Sequence, residues 1–149
     1  KGDTLLDYGC GKGRVDCYLS YQTRCHSIGV EYDPRIYETA AENQKTAVSG
    51  GRTEFVLADA GEFPVPDAVN RAYFFNPFSV ELLQKVIRRI LDSWYEVPRE
   101  IRLFFYYPSD EYLTYLMTVD ELMFADEIDC RELFDGNDAR ERIVEFVLE

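Results

Sequence analysis

Histidine is almost absent from this chain, with His26 standing alone, and none of the four cysteines falls in a C-x-x-C pair or at zinc spacing. Cys10, Cys17, Cys25 and Cys130 therefore read as reduced thiols of a cytoplasmic protein. A catalytic cysteine would have only His26 to serve as its base. Long apolar runs are missing too: nothing approaches the ~20 consecutive apolar residues of a membrane span. No basic segment followed by an apolar core opens the chain as a secretion signal would. Repeats and low-complexity tracts are absent. Positive charge is scarce, and a net charge of −12 speaks against a protein whose affinity rests on neutralising phosphates. A local basic patch can survive on an acidic protein, but Arg88, Arg89, Arg99 and Arg102 read as a solvated helix face. An initiating methionine is lacking and a strand starts almost at Lys1, so we expect a further N-terminal segment to precede this one.

What remains is one domain's worth of chain, 149 residues with 46% apolar and 30% charged, the balance of a folded globular unit. Thr4–Tyr8 is a short apolar run suited to a buried strand. Further strands are expected at Ser27–Tyr32, Glu54–Ala58, Arg71–Phe75, Ile101–Tyr106, Leu122–Ile128 and Ile143–Leu148. Helices are expected from Arg14 to about Gln22, with Val15, Tyr18 and Leu19 at helical spacing, and from Asp33-Pro34 to about Val48. Val80 to about Tyr95 is strongly amphipathic, with Leu83, Val86, Ile87, Ile90 and Leu91 on one face, and Asp110 to about Met117 is a short helix. Between the third and fourth strands only a stretch with Pro64 and Pro66 intervenes, so the crossover helix there is shortened or lost. The pattern predicts a three-layer α/β/α fold with about seven strands, mostly parallel, ending in an antiparallel strand hairpin. Ligands of such sheets bind at the carboxyl ends of the strands, by the topological switch point.

At the first of those ends the chain reads LLDYGCGKGRVDCYL, from Leu5 to Leu19. The dinucleotide fingerprint G-x-G-x-x-G needs a third glycine where this chain has Arg14; Gly9, Gly11 and Gly13 form G-x-G-x-G instead. Asp7, two residues ahead, would set like charge beside a pyrophosphate but suits an ammonium group. Backbone N–H groups at the following helix start favour a carboxylate. A ligand with both groups is an amino acid. Glu31 ends the second strand 18 residues after Gly13, where an acid bonds the ribose hydroxyls of a nucleoside. An amino acid at one end and a ribose at the other describe S-adenosylmethionine.

DYGCGKG at Asp7–Gly13, GVEYD at Gly29–Asp33, LADA at Leu57–Ala60 and FFNPF at Phe74–Phe78 together resemble the class I S-adenosylmethionine-dependent methyltransferases. The resemblance covers nearly the whole chain, including the terminal hairpin, and implies a Rossmann-like fold. It implies that Asp7, Gly9, Cys10, Gly11 and Gly13 surround the methionine part, with Glu31 on the ribose. Tyr32 would then lie against the adenine, Asp59 and Ala60 at its amino edge, and Asn76 near the methyl group.

Asn76-Pro77-Phe78 resembles the [DN]-P-P-[YFW] signature of methyltransferases acting on nitrogens in the plane of a conjugated group, with one proline instead of two. That likeness implies that Asn76 and a backbone carbonyl orient the target nitrogen while Phe78 packs on the substrate plane. The same residues also serve to end the strand and open the next helix, with Ser79 as its N-cap. Tyr106 and Tyr107, ending the fifth strand, are candidate pocket walls. The sulfonium is already a good leaving group, so what the chemistry asks of the protein is near-attack positioning and desolvation. The expected acceptor is a nitrogen on a small molecule or protein. A nucleic-acid amino group, or a module that binds the cofactor without turnover, are the alternatives, and Asp7 and Arg14 speak against a nicotinamide oxidoreductase. No metal is expected, and the chain is expected to be a monomer or homodimer.

Overall fold

The computed structural model describes residues 2–75 and 78–149. Its seven-stranded sheet runs β3-β2-β1-β4-β5-β7-β6. The strands are β1 (Thr4–Tyr8), β2 (His26–Glu31), β3 (Thr53–Leu57), β4 (Arg71–Phe74), β5 (Ile101–Tyr106), β6 (Met123–Asp129) and β7 (Arg142–Leu148). All neighbours pair parallel except β7, which runs antiparallel to both β5 and β6. The expected mixed sheet with its terminal hairpin is therefore what the chain forms, with β7 inserted between β5 and the edge strand β6. β1 lies between β2 and β4, so the chain first winds one way and then resumes on β1's other side. That is the switch point where a parallel sheet opens a crevice.

Helices α1 (Arg14–Thr23), α2 (Pro34–Thr46), α3 (Val80–Glu96) and α4 (Asp110–Leu116) flank the sheet. Each start has a local cause. Asp33 caps α2 by accepting the Arg35 N–H at 2.9 Å, with Pro34 supplying a preset φ at the first turn. Ser79 caps α3 through the Leu82 N–H at 3.3 Å, and Ser109 caps α4 through Tyr112 at 3.2 Å. Gly13 caps α1 with φ +78° and no side-chain bond. A side chain there would also sit 2.4 Å from the Phe55 ring, so glycine is required twice over. Close helix–sheet packing, which the dinucleotide pattern assigns to a glycine one residue later, is met here by Gly13.

The main core lies under α3 and α4. Leu6, Tyr8, Ala72, Phe74, Leu103 and Phe105 from the strands meet Leu83, Val86, Ile87 and Ile90 of α3. Tyr8, Phe74 and Phe105 stack in sequence, with centroids 5.0 and 4.5 Å apart. A smaller cluster of Cys10, Ala40 and Phe55 fills the α1–α2 side. Residues 58–70 hold no helix, as their prolines predict. This short crossover is pinned instead by Arg99, whose guanidinium donates to the carbonyls of Val69 (2.8 Å) and Pro66 (3.3 Å).

The expected helix α1 forms, but the face it turns to the sheet is not its apolar one. The apolar residues Val15 and Leu19 are only half-buried and Tyr18 is exposed, while Asp16 and Ser20 face the sheet. Ser20 is satisfied there by the Ser27 hydroxyl at 2.9 Å. Helix α1 packs against β2 with a polar ridge because Asp7 and Ser27 make that side of the sheet polar.

Candidate functional site

A cleft of about 310 Å³ opens at the carboxyl ends of β1, β2 and β3. Gly9, Glu31, Tyr32, Ala58, Asp59, Ala60, Phe78 and Leu82 line it. Six of these are residues the sequence nominates, brought together from four separate stretches. Glu31 is its best-defined polar group. One carboxylate oxygen accepts the Gly11 N–H and the other the Asp33 N–H, both at 3.0 Å. Two N–H donors leave further lone pairs on a carboxylate, which can take two hydroxyl protons of a ligand. Tyr32 is three-quarters exposed at the cleft mouth, where its ring offers a flat face to a ligand. Asp59 accepts the Gly61 N–H at 2.9 Å, a turn that orients its carboxylate while leaving one oxygen for a ligand.

The glycine loop forms the inner wall. Gly9 and Cys10 both donate to the Val30 carbonyl, at 2.9 and 3.1 Å, which ties the loop to the end of β2. Gly11 adopts φ +58° and reaches Glu31 from there. The Cys10 side chain turns away, into the cluster with Ala40 and Phe55, so only its backbone is near the cleft. Gly13 is buried against Phe55 rather than at the lining. Burial drives the Cys10 thiol upward, with Asp16, Asp7 and Glu31 adding repulsion, so it stays protonated.

Asp7 lies behind Gly9 and is 3% exposed. Burial holds its carboxyl well above the usual carboxylate range, and Asp16 and then Glu31 push it further. Asp16 is fully buried and is itself raised to about 6 by desolvation. Tyr73, opposite Asp7 in the β1–β4 register, is raised to about 12 by burial and by the Asp7 charge. Asp16 and Leu82 are site residues that reading for apolar spacing did not nominate. For Asp16 the available signal is an acid in a helix's first turn, nine residues after another acid.

At the fourth strand, Asn76 and Pro77 lie outside the described residues, and Phe78 is the part of that motif whose place is given. Phe78 packs edge-on to Tyr8 and Phe74, each at 6.4 Å. The Tyr112 hydroxyl donates to the Phe78 carbonyl and accepts its N–H at 3.3 Å. This clamp from α4 is a further feature that the sequence did not reveal. Tyr106 and Tyr107 do not line the cleft. Their hydroxyls donate to Glu141 (2.7 Å) and to Asp138, tying β5 to the β6–β7 connection.

The donor set fits an adenosyl amino acid: hydroxyl acceptors at Glu31, an aromatic face at Tyr32, and two carboxyls behind the glycine loop that meet no cation among the described residues. Among the described residues no group of three or more His, Cys, Asp or Glu could hold a metal ion. No helix among them is long and apolar enough to cross a membrane.

Known proteins are similar to this chain. The family model described as "Methyltransferase domain" matches residues 5–100. The chain is similar to 27-O-demethylrifamycin SV methyltransferase of Amycolatopsis mediterranei (strain S699), with 28% identity over 102 residues. That match takes in 68% of this chain and 35% of the relative, so the chain spans about a third of that protein's length. Among solved structures it resembles a TehB-like SAM-dependent methyltransferase from Corynebacterium glutamicum, with TM-score 0.70 and 16% identity. That likeness covers 100% of this chain and 81% of the other. It also resembles an RNA methyltransferase from Salinibacter ruber in complex with S-adenosyl-L-homocysteine, with TM-score 0.63, 18% identity, and 98% and 80% coverage. At these identities the two structures speak for the fold alone.

Proposed function

Because this chain belongs to the methyltransferase-domain family, we propose that it carries out S-adenosylmethionine-dependent methyl transfer to a nitrogen nucleophile on a small molecule or protein. The observation that carries the reading is the Glu31 carboxylate, fixed by two backbone N–H groups at the edge of a cleft with an aromatic mouth. Bound there, S-adenosylmethionine supplies a methyl group activated by its sulfonium. Glu31 accepts the ribose hydroxyls, Tyr32 packs on the adenine, and Asp59 accepts its amino group. The glycine loop and Asp7 face the amino-acid end. Phe78, clamped by Tyr112, walls the space beyond and excludes water from it. Asn76 orients the incoming nitrogen, which has to arrive uncharged to present a lone pair.

The acidic balance of the chain supports a small-molecule or protein acceptor over a nucleic acid. So does the use of Arg89, Arg99 and Arg102 within the fold, on Gly61, Val69 and the Glu100–Glu145 pair. An oxygen acceptor is the second reading, favoured by the name of the Amycolatopsis relative. Calorimetric titration with S-adenosylmethionine and S-adenosylhomocysteine tests the cofactor assignment, and no binding at millimolar ligand would sink it. Transfer of labelled methyl to a panel of amines, carboxamides and alcohols then separates the two acceptors. Label on alcohols alone would overturn the nitrogen assignment.

A further inference from the structure

Asp7 and Asp16 pose an electrostatic problem that the fold does not solve by itself. Asp7 is 3% exposed and Asp16 0%. Among the described residues no side-chain hydroxyl, amide or cation reaches either oxygen of Asp16. The group it meets is the Asp7 carboxyl, and the two stand within hydrogen-bonding reach. Two carboxylates cannot bond each other, since both only accept. A bond across this pair requires a proton on one of them.

Asp16's own backbone N–H offsets its burial in part, and the other described groups around the pair add no positive charge. From β2 the charged group acting on Asp7 is Glu31, another acid; from β4 it is the Tyr73 phenol; from the glycine loop it is the Cys10 thiol. On α1 itself Cys17 is raised by burial and by Asp16. The neighbouring hydroxyls are already engaged: Ser27 donates to the Asp16 carbonyl at 3.3 Å and meets Ser20 at 2.9 Å. Among the described residues no lysine, arginine or histidine acts on either carboxyl. Arg14, two residues before Asp16, is exposed on the outer side of α1, by Tyr18 and Tyr73.

We propose that Asp7 and Asp16 share one proton in the free protein and release it when the ammonium group of S-adenosylmethionine docks over the glycine loop. Asp16 is then a positioning residue that acts through Asp7. The inference rests on the cofactor reading given above. On binding, the carboxyl O–H bond breaks and the proton passes to buffer. The electron pair stays on the oxygen, and the pair's second negative charge faces the ammonium. A site of this kind holds one charge too few when empty and gains it only as the cation arrives. Buried repulsion in the free state is thereby limited, and affinity for the zwitterionic end of the ligand becomes proton-linked.

Two measurements test it. In the first, carbon-13 NMR of the aspartate carboxyls follows the free wild-type protein through pH. One proton held by the Asp7–Asp16 pair at pH 7 is expected, and both carboxyls fully ionised by pH 5 would overturn the dyad. In the second, S-adenosylhomocysteine, which carries the same ammonium, is titrated calorimetrically in buffers of different ionisation enthalpy between pH 6 and 8. The wild type is expected to release up to one proton, its affinity rising by up to about tenfold per pH unit. Asp16→Asn is expected to release fewer protons, with a shallower pH dependence, because burial alone still raises Asp7. Wild-type binding without proton release, or release undiminished in Asp16→Asn, overturns the inference while leaving the cofactor reading intact. A dyad seen by NMR together with no binding at all overturns the linkage through failure of the cofactor reading itself.

Discussion

At one end of the groove the Glu31 carboxylate accepts N–H groups from Gly11 and Asp33, each at 3.0 Å; at the other, Asp7 is buried against Asp16, with no cation beside it among the described residues. Both acids sit at the carboxyl ends of adjacent parallel strands, two residues apart in register from the β1–β2 pairing of Asp7 with Gly29. Their difference lies in what surrounds them. Backbone dipoles satisfy Glu31 as an anion before any ligand arrives, so that end is ready to take neutral hydroxyls. Asp7 is buried beside another acid, so on the proposal above that end takes its full negative charge only when a cation comes with the ligand. A sugar end set in advance and an amino-acid end completed by its ligand suit the two halves of an adenosyl amino acid.

The comparison can be broken first at the backbone. Gly13→Ala places a Cβ 2.4 Å from Phe55 in a residue at φ +78°, and a loss of about 3 kcal/mol of stability is expected. Chemical denaturation checks it; an unchanged midpoint would mean that the amino-acid end does not depend on this turn. Next comes the sugar end. Glu31→Ala is expected to cost about 2 kcal/mol of S-adenosylhomocysteine affinity, roughly thirtyfold, by calorimetry. Cys25→Ala, altered away from the cleft, is expected to leave affinity unchanged. Equal affinities for both variants would remove Glu31 from the ribose.

Asp16→Asn sharpens the contrast through pH. The raised carboxyls of this pair favour the folded state at acid pH, below the ordinary value of 3.8, and that contribution is lost as pH rises through about 6. Asparagine cannot ionise, so the variant is expected to be more stable than wild type at pH 8, on the order of 2 kcal/mol, with the gain vanishing near pH 4. Thermal melts at the two pH values read this directly. A gain of the same size at both would show that charge is not its source. The smallest effect is expected between the two ends: Tyr112→Phe removes the clamp on Phe78 and should cost about 1 kcal/mol of stability. Methyl transfer should slow more than cofactor affinity falls, since Phe78 is proposed to wall the acceptor side.

Much of this architecture is legible from residue order alone. Apolar residues mark all seven strands to within a residue or two: six carry buried residues, and the edge strand β6, exposed along its length, still carries Met123, Phe124 and Ile128. Pro34, Ser79 and the Pro64–Pro66 stretch announce helix starts and a missing helix through local chemistry. The glycine spacing and Glu31 locate the groove for the same reason: a positive φ or a strand-end acid is a local requirement. Illegible features are those set by tertiary partners. The inward face of α1 carries Asp16 and Ser20 because the sheet opposite carries Asp7 and Ser27, and apolar spacing points to Val15, Tyr18 and Leu19 instead. Tyr112 meets Phe78 across 34 residues, a pairing that no local pattern encodes.

A crystal structure of the S-adenosylhomocysteine complex tests the two-ended groove most directly. It should show both ribose hydroxyls on the Glu31 carboxylate, the adenine against Tyr32, and the ammonium over the glycine loop facing Asp7. A ligand bound in the reverse sense, with its amino acid at Glu31 and Tyr32, would contradict the account.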